Sequence, residues 1–116
     1  MKVSGVALGQ WNRICKKKEG IRRTVYKINR AIVMGNVAHV YETKDYIIRY
    51  HDMNILVSNK SLVLTVWRDR ETDPFTIQEE LKAEYDATTT HKENNKKANA
   101  KHVSIMKNIK QLVKEK

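Results

Sequence analysis

The amino-acid sequence predicts an α+β fold: N-terminal helices packed on a small four-stranded antiparallel meander sheet, followed by two C-terminal helices. Three observations predict it. Apolar residues recur at spacings of three and four through residues 5–34. From Val37 the period drops to two and holds as far as Arg68. Every connector inside that stretch is too short for a parallel crossover, so the strands run antiparallel.

The elements follow in order. Leu8, Trp11, Ile14 and Cys15 share a face of a helix over residues 5–18. The three lysines 16–18 suit its negative end, and Gly20 stops it. In residues 21–34, Ile21, Val25, Ile28 and Ile32 form one apolar stripe, ended by Gly35-Asn36. Strands are expected over 37–43, 46–51, 54–58 and 61–68. Turns fall at Lys44-Asp45, Asp52-Met53 and Asn59-Lys60, and Asn59 tolerates the positive φ of a tight hairpin. Alternation places Val37, His39, Tyr41 and Thr43 on one side of the first strand. In the last strand it places Leu62, Leu64 and Val66 opposite Val63, Thr65 and Trp67. Ile48, Ile55, Val57, Leu62, Leu64 and Val66 are therefore the expected sheet core. Asp73-Pro74 opens a third helix, with Phe75, Ile77, Leu81 and Tyr85 on its apolar side. Residues 1–86 read as one compact α+β domain. Residues 87–101 carry no large aliphatic side chain and read as a polar linker or an exposed helix. Residues 102–116 form an amphipathic helix carrying Ile105, Met106, Ile109, Leu112 and Val113.

Charge narrows the partner. The 23 Lys and Arg exceed the 13 Asp and Glu, for a formal charge of +10. That balance favours an anionic partner, with nucleic acid (RNA preferred) the leading class. The charge is in blocks. Residues 13–30 hold eight basic residues against Glu19, 71–86 are acidic, and 92–116 return to eight lysines. Acidic and basic blocks of this kind can pair internally. No run of 18 apolar residues exists, so no membrane span is expected. The N-terminal apolar patch is too short and interrupted for a signal peptide. A single Cys and four scattered His (39, 51, 91 and 102) exclude a disulfide framework and zinc spacing; no cofactor or metal is expected, and a cytoplasmic setting follows.

Two constellations carry candidate chemistry. Phosphate contact needs cations on a rigid face. Lys16, Lys17, Lys18, Arg22, Arg23, Lys27 and Arg30 supply them around the second helix. Metal-free RNA cleavage needs an acid, a base and a cation at the phosphate. Arg49 and His51 share a strand face by parity, and Arg68 closes the last strand, with Tyr41 or Tyr50 as possible assistants. The same side chains also suit an ordinary sheet surface. Tyr41, Tyr46, Tyr50 and Trp67 offer rings for stacking on unpaired bases, but alternation turns half of them inward. Trp11 is expected in the core.

The order helix, basic helix, four-stranded meander, with Leu64-Thr65-Val66-Trp67-Arg68 at its end, resembles the small RelE-like toxin ribonucleases and their bacterial and phage relatives. The resemblance covers residues 20–70. It implies a metal-independent endoribonuclease in which Arg49 and His51 match basic residues of the middle strands and Thr65 and Arg68 match polar positions of the last. Residues 5–35 contain no His, so the His-plus-Arg pattern of the first helix in some relatives is absent. A third class is a phage-type effector that binds and inhibits a host protein, or self-associates, through residues 102–116.

Overall fold

The computed structural model describes residues 1–16, 18–68 and 79–114, without the side chains of 79–81 and 110–114. Ser4 starts the first helix because its hydroxyl accepts from the Ala7 N–H at 3.1 Å. Helix α1 (Gly5–Cys15) ends where Lys16 adopts a left-handed conformation, φ 55°. Helix α2 (Ile21–Met34) has the bounds its apolar stripe predicts. The stripe works only from the second turn: Ile28 and Ile32 are fully buried, whereas Ile21 is 72% exposed beyond the end of the core.

The sheet has five strands, not four. Strands β2 (Asn36–Val40), β3 (Tyr46–Tyr50), β4 (Met53–Val57) and β5 (Leu62–Arg68) form the expected antiparallel meander. A two-residue strand β1 (Lys2–Val3) adds in parallel to β5, giving the order β1-β5-β4-β3-β2 and a mixed sheet. Two residues are too few to show a period, so the sequence carries no sign of it. Beyond β1, the edge of β5 is closed by side chains of α1 and of its cap. Ser4 Oγ donates to the Leu64 carbonyl, and Gln10 Oε1 accepts from the Val66 N–H at 2.8 Å.

Two register shifts re-aim the side chains. One lies between Leu56 and Val57, where Val57 pairs with Val63 and Leu56 with Thr65. The extra residue, Leu64, breaks the alternation, so Val63 and Val66 both enter the core while Leu62 and Leu64 are only half-buried. Strict alternation thus misassigned Leu62, Leu64 and Val63. The other shift lies between Val37 and His39, which pair with Ile48 and Ile47 and so face opposite sides. The turns differ as well. Positive φ falls on Lys44, His51 and Ser61 rather than on Asn59, and His51 occupies the β3–β4 turn instead of ending a strand.

Helices α3 (Glu79–Thr88) and α4 (His91–Lys114) follow. The expected helix start at Asp73-Pro74, with Phe75 and Ile77, lies outside the described residues, as do Lys17 and the side chains of Leu81, Leu112 and Val113. The polar stretch does not separate α4 from a domain. It is the first half of one helix that runs through residue 101 without a break. Thr90 caps it: its hydroxyl accepts from the Glu93 N–H at 3.1 Å and meets the Glu93 carboxylate at 3.3 Å. Asn94 and Ala98 are fully buried, and Asn94 Nδ2 donates to the Tyr26 carbonyl of α2 at 3.0 Å. Small side chains let α4 approach α2 closely, which is why burial here needs no large aliphatic residue. Ile105 and Ile109 complete the core with Trp11, Ile28, Ile32, Tyr46, Ile48, Ile55, Val57, Val63 and Val66. The described part of the apolar stripe, Ile105, Met106 and Ile109, is therefore used within the chain's own fold. Among the described residues no helix is long and apolar enough to cross a membrane.

Candidate nucleic-acid interface

The turn between α1 and α2 gathers the cations. Lys16 ends α1, and its N–H is bonded to carbonyls of the last turn. Thr24 Oγ1 donates to Asn12 Oδ1 at 3.2 Å and so ties the start of α2 to α1. Arg13, Lys16, Lys18, Arg22 and Arg23 are all exposed. An open depression of about 360 Å³ is lined by Gly9, Asn12, Arg13, Lys16 and Lys18. The α2 N-terminus beside it has no side-chain cap and no acid in its first turn, so its positive end adds to the field.

Two of the seven expected phosphate-contacting residues are committed elsewhere. Lys27 is ion-paired with Glu19 at 2.5 Å. Arg30 is only 7% exposed; its Nη1 donates to Asp86 at 2.6 Å, and the Tyr26 hydroxyl donates to the same carboxylate at 2.7 Å. Burial alone would raise the Asp86 pKa, but the hydrogen bonds from Tyr26 and Arg30 and the Arg30 and Arg23 charges hold it below its ordinary value. Two of the three cations on the face Arg23–Lys27–Arg30 are thus neutralised. Arg23 stays exposed over the Tyr26 ring, 5.5 Å from its centroid. Arg13, one turn before Lys16, belongs to the exposed group; a spacing of three on α1 was the signal for it.

The four sheet candidates do not converge: by register Arg49 shares the face of Asn54 and Trp67, and Arg68 the opposite face with Tyr50 and Met53. Arg49, His51 and Arg68 lie at the end of the sheet where β3 turns into β4. Arg49 Nε approaches the His51 carbonyl at 3.4 Å, and Arg68 is ion-paired with Asp52. The His51 ring packs edge-on against Tyr50, with centroids 4.2 Å apart. Burial, then the Lys82 charge, lower the His51 pKa against the opposing pull of Asp52. Lys82 of α3 also stands 5.9 Å above the Tyr50 ring. It was not among the expected residues, and no local pattern links it to the hairpin. Thr65 is elsewhere. It pairs with Leu56, and its hydroxyl donates to Gln10 Oε1 at 2.7 Å, so it holds α1 against the sheet.

The aromatic residues divide by face. Tyr46 is fully buried, with its hydroxyl 2.6 Å from His102 Nδ1. Tyr50 packs against the core cluster, and Trp11 lies within it. Tyr41 and Trp67 remain exposed on the other face. Among the described residues no group of three or more His, Cys, Asp or Glu is placed to hold a metal ion. No protein-family model matches this chain, and comparison with curated proteins and with solved structures finds no match either.

Proposed function

We propose that this chain is a small basic nucleic-acid-binding protein, RNA preferred, that holds phosphate through the α1–α2 junction. One observation carries the reading. Arg13, Lys16, Lys18, Arg22 and Arg23 are exposed together, while the intervening acid, Glu19, is drawn to Lys27. Cations on two helix ends tied by the Asn12–Thr24 bond can track a backbone without reading its sequence. The test is binding of labelled RNA and DNA oligonucleotides across a salt series. About five phosphate contacts on a single strand should lower affinity about 100-fold between roughly 50 and 200 mM salt. Arg22→Ala/Arg23→Ala should weaken binding and flatten the salt slope by about 1.4. Absent or salt-independent binding to both nucleic acids would remove the proposal.

A second reading, a metal-independent endoribonuclease of RelE-like type, is supported by His51, which stands at a hairpin end with Arg49 and Arg68 beside it on opposite faces of the sheet. Burial and Lys82 favour a neutral His51 imidazole near physiological pH, the form a general base requires. The comparison is RNA incubated in chelator with wild type or with Arg49→Ala/His51→Asn/Arg68→Ala. Asn is chosen because position 51 has φ 55°. Cleavage by wild type alone is expected; equal amounts of intact RNA would sink the idea.

A further inference from the structure

We infer that the sheet face turned away from the helices is a stacking platform for unpaired nucleobases, so that the ligand is single-stranded rather than duplex nucleic acid. The inference rests on the nucleic-acid reading above and names its substrate class.

The face is defined by register. Asn36, Arg49, Asn54 and Trp67 stand in one row across β2, β3, β4 and β5, and His39, Ile47, Leu56 and Thr65 stand in the next. None of these eight residues belongs to the core cluster that joins the sheet to the helices, although Ile47 and Asn54 are buried and Thr65 bonds Gln10 of α1 at the β5 edge. Trp67 and Tyr41 are 38% and 44% exposed. Tyr41 follows His39 by two residues, and the His39 ring packs edge-on against it, with centroids 4.4 Å apart at 78°. That contact braces the tyrosine ring while leaving it open to solvent.

The two exposed rings stand at opposite corners of the face. Three inter-strand spacings separate their strands, about 14 Å across, and the row offset adds about as much along the strands. The distance fits the roughly four nucleotides that the smallest sheet-based single-strand sites engage. Between the rings Ile47 and Asn54 are closed over at 9% and 7% exposure and Leu56 is half-buried, so the two rings are the accessible part of the face. The exposed part of each ring is left unpaired by the fold. A base has two π-faces and no charge, so it can settle on them while the chain's charge of +10 holds the phosphates. A duplex keeps its base faces stacked internally and has nothing to offer Trp67 or Tyr41.

The experiment titrates a short labelled oligouridine and a matched RNA duplex into wild type, Trp67→Leu, Tyr41→Leu, Trp67→Phe and Arg22→Ala/Arg23→Ala. Thermal melts confirm that each variant is folded. Wild type should prefer the single strand, and each Leu variant should lose about tenfold in single-strand affinity. Trp67→Phe should keep most of it, because Phe retains a ring. Intrinsic fluorescence is a second readout on unaltered protein. Trp11 is buried and Trp67 exposed, so oligouridine should quench wild type and leave Trp67→Phe nearly unquenched. If a Leu variant fails to fold, this comparison decides the matter. Equal affinity for duplex and single strand, or Leu variants that bind like wild type while Arg22→Ala/Arg23→Ala is weakened, overturns the platform and leaves the basic surface standing. No binding by any form overturns both.

Discussion

His102 illustrates what one side chain does for the fold. It is buried on α4, with Tyr46 Oη against its Nδ1 and a backbone hydrogen bond to Asn59. The two contacts suit a neutral ring, in which one nitrogen accepts and the other donates. Burial lowers its pKa, and the Asn59 bond only partly opposes this. The unfolded chain therefore takes up the proton more readily than the folded one. Stability should be fully present above the ordinary histidine pKa of about 6.5 and should fall as pH drops below it. His51 shifts the same way, so its effect must be separated. Urea midpoints measured on either side of that pKa should differ in wild type, and less so in His102→Gln and His51→Asn. Gly35 makes a different demand. A Cβ there would lie 2.7 Å from an Ile48 methyl and 2.8 Å from the carbonyls of Ala31 and Arg49. Two of those three neighbours are backbone, which cannot rotate away. Gly35→Ala should cost about 1–3 kcal/mol in chemical denaturation. A helix stop at Gly35 was legible in the sequence. Its role as the close approach of α2 to β3 was not, because Ile48 meets it only in three dimensions.

At the scale of elements, long-range side chains close the ends that local caps leave open. Helix α2 has no basic residue in its last turn. Lys101, on α4, takes that place: its Nζ donates to the carbonyls of Ile32 at 2.7 Å, Val33 at 3.1 Å and Gly35 at 2.5 Å. A cation at the negative end of a helix favours it, and three carbonyls gain a donor. Lys101→Met keeps the aliphatic stem and removes the charge. It should destabilise the chain by about 1–3 kcal/mol, read as a lower urea midpoint with unchanged m-value. An unchanged midpoint would show that water satisfies those carbonyls equally well. The strands teach a related lesson. Period-two alternation located all four meander strands, yet failed inside β5 because one extra residue at Leu64 reverses the sides on which its neighbours lie. Helix α4 shows the opposite case. Its start was encoded at Thr90 and Glu93, but the lack of aliphatic residues through 101 left a polar linker and an exposed helix as equal readings, and the helix is the one found.

For the whole molecule, α4 decides whether the core is complete. Ile105 and Ile109 belong to the buried cluster that also takes residues from α1, α2 and the sheet, and Met106 packs against that cluster. Each buried side chain contributes about 1.5–3 kcal/mol, against a net stability of about 5–15 kcal/mol for an ordinary domain. A chain ending at residue 101 should therefore lose cooperative unfolding in a thermal melt. A sharp, full-amplitude transition would show that residues 1–101 form an independent core. The sequence by itself determined the α+β class, because the change of apolar period at Val37 is local. The net charge of +10, on which the proposed anionic partner rests, is read from the sequence just as directly, because charge is a sum over residues and needs no geometry. Only the tertiary structure decided which cations face solvent. Glu19 and Asp86 remove Lys27 and Arg30, and Asp86 reaches Arg30 across 56 residues of chain. It also decided that Thr65 serves the α1 contact while Arg49, His51 and Arg68 share a hairpin end. Periodicity records which residues of one element share a face. Which element then meets that face is settled by packing between segments far apart in the chain.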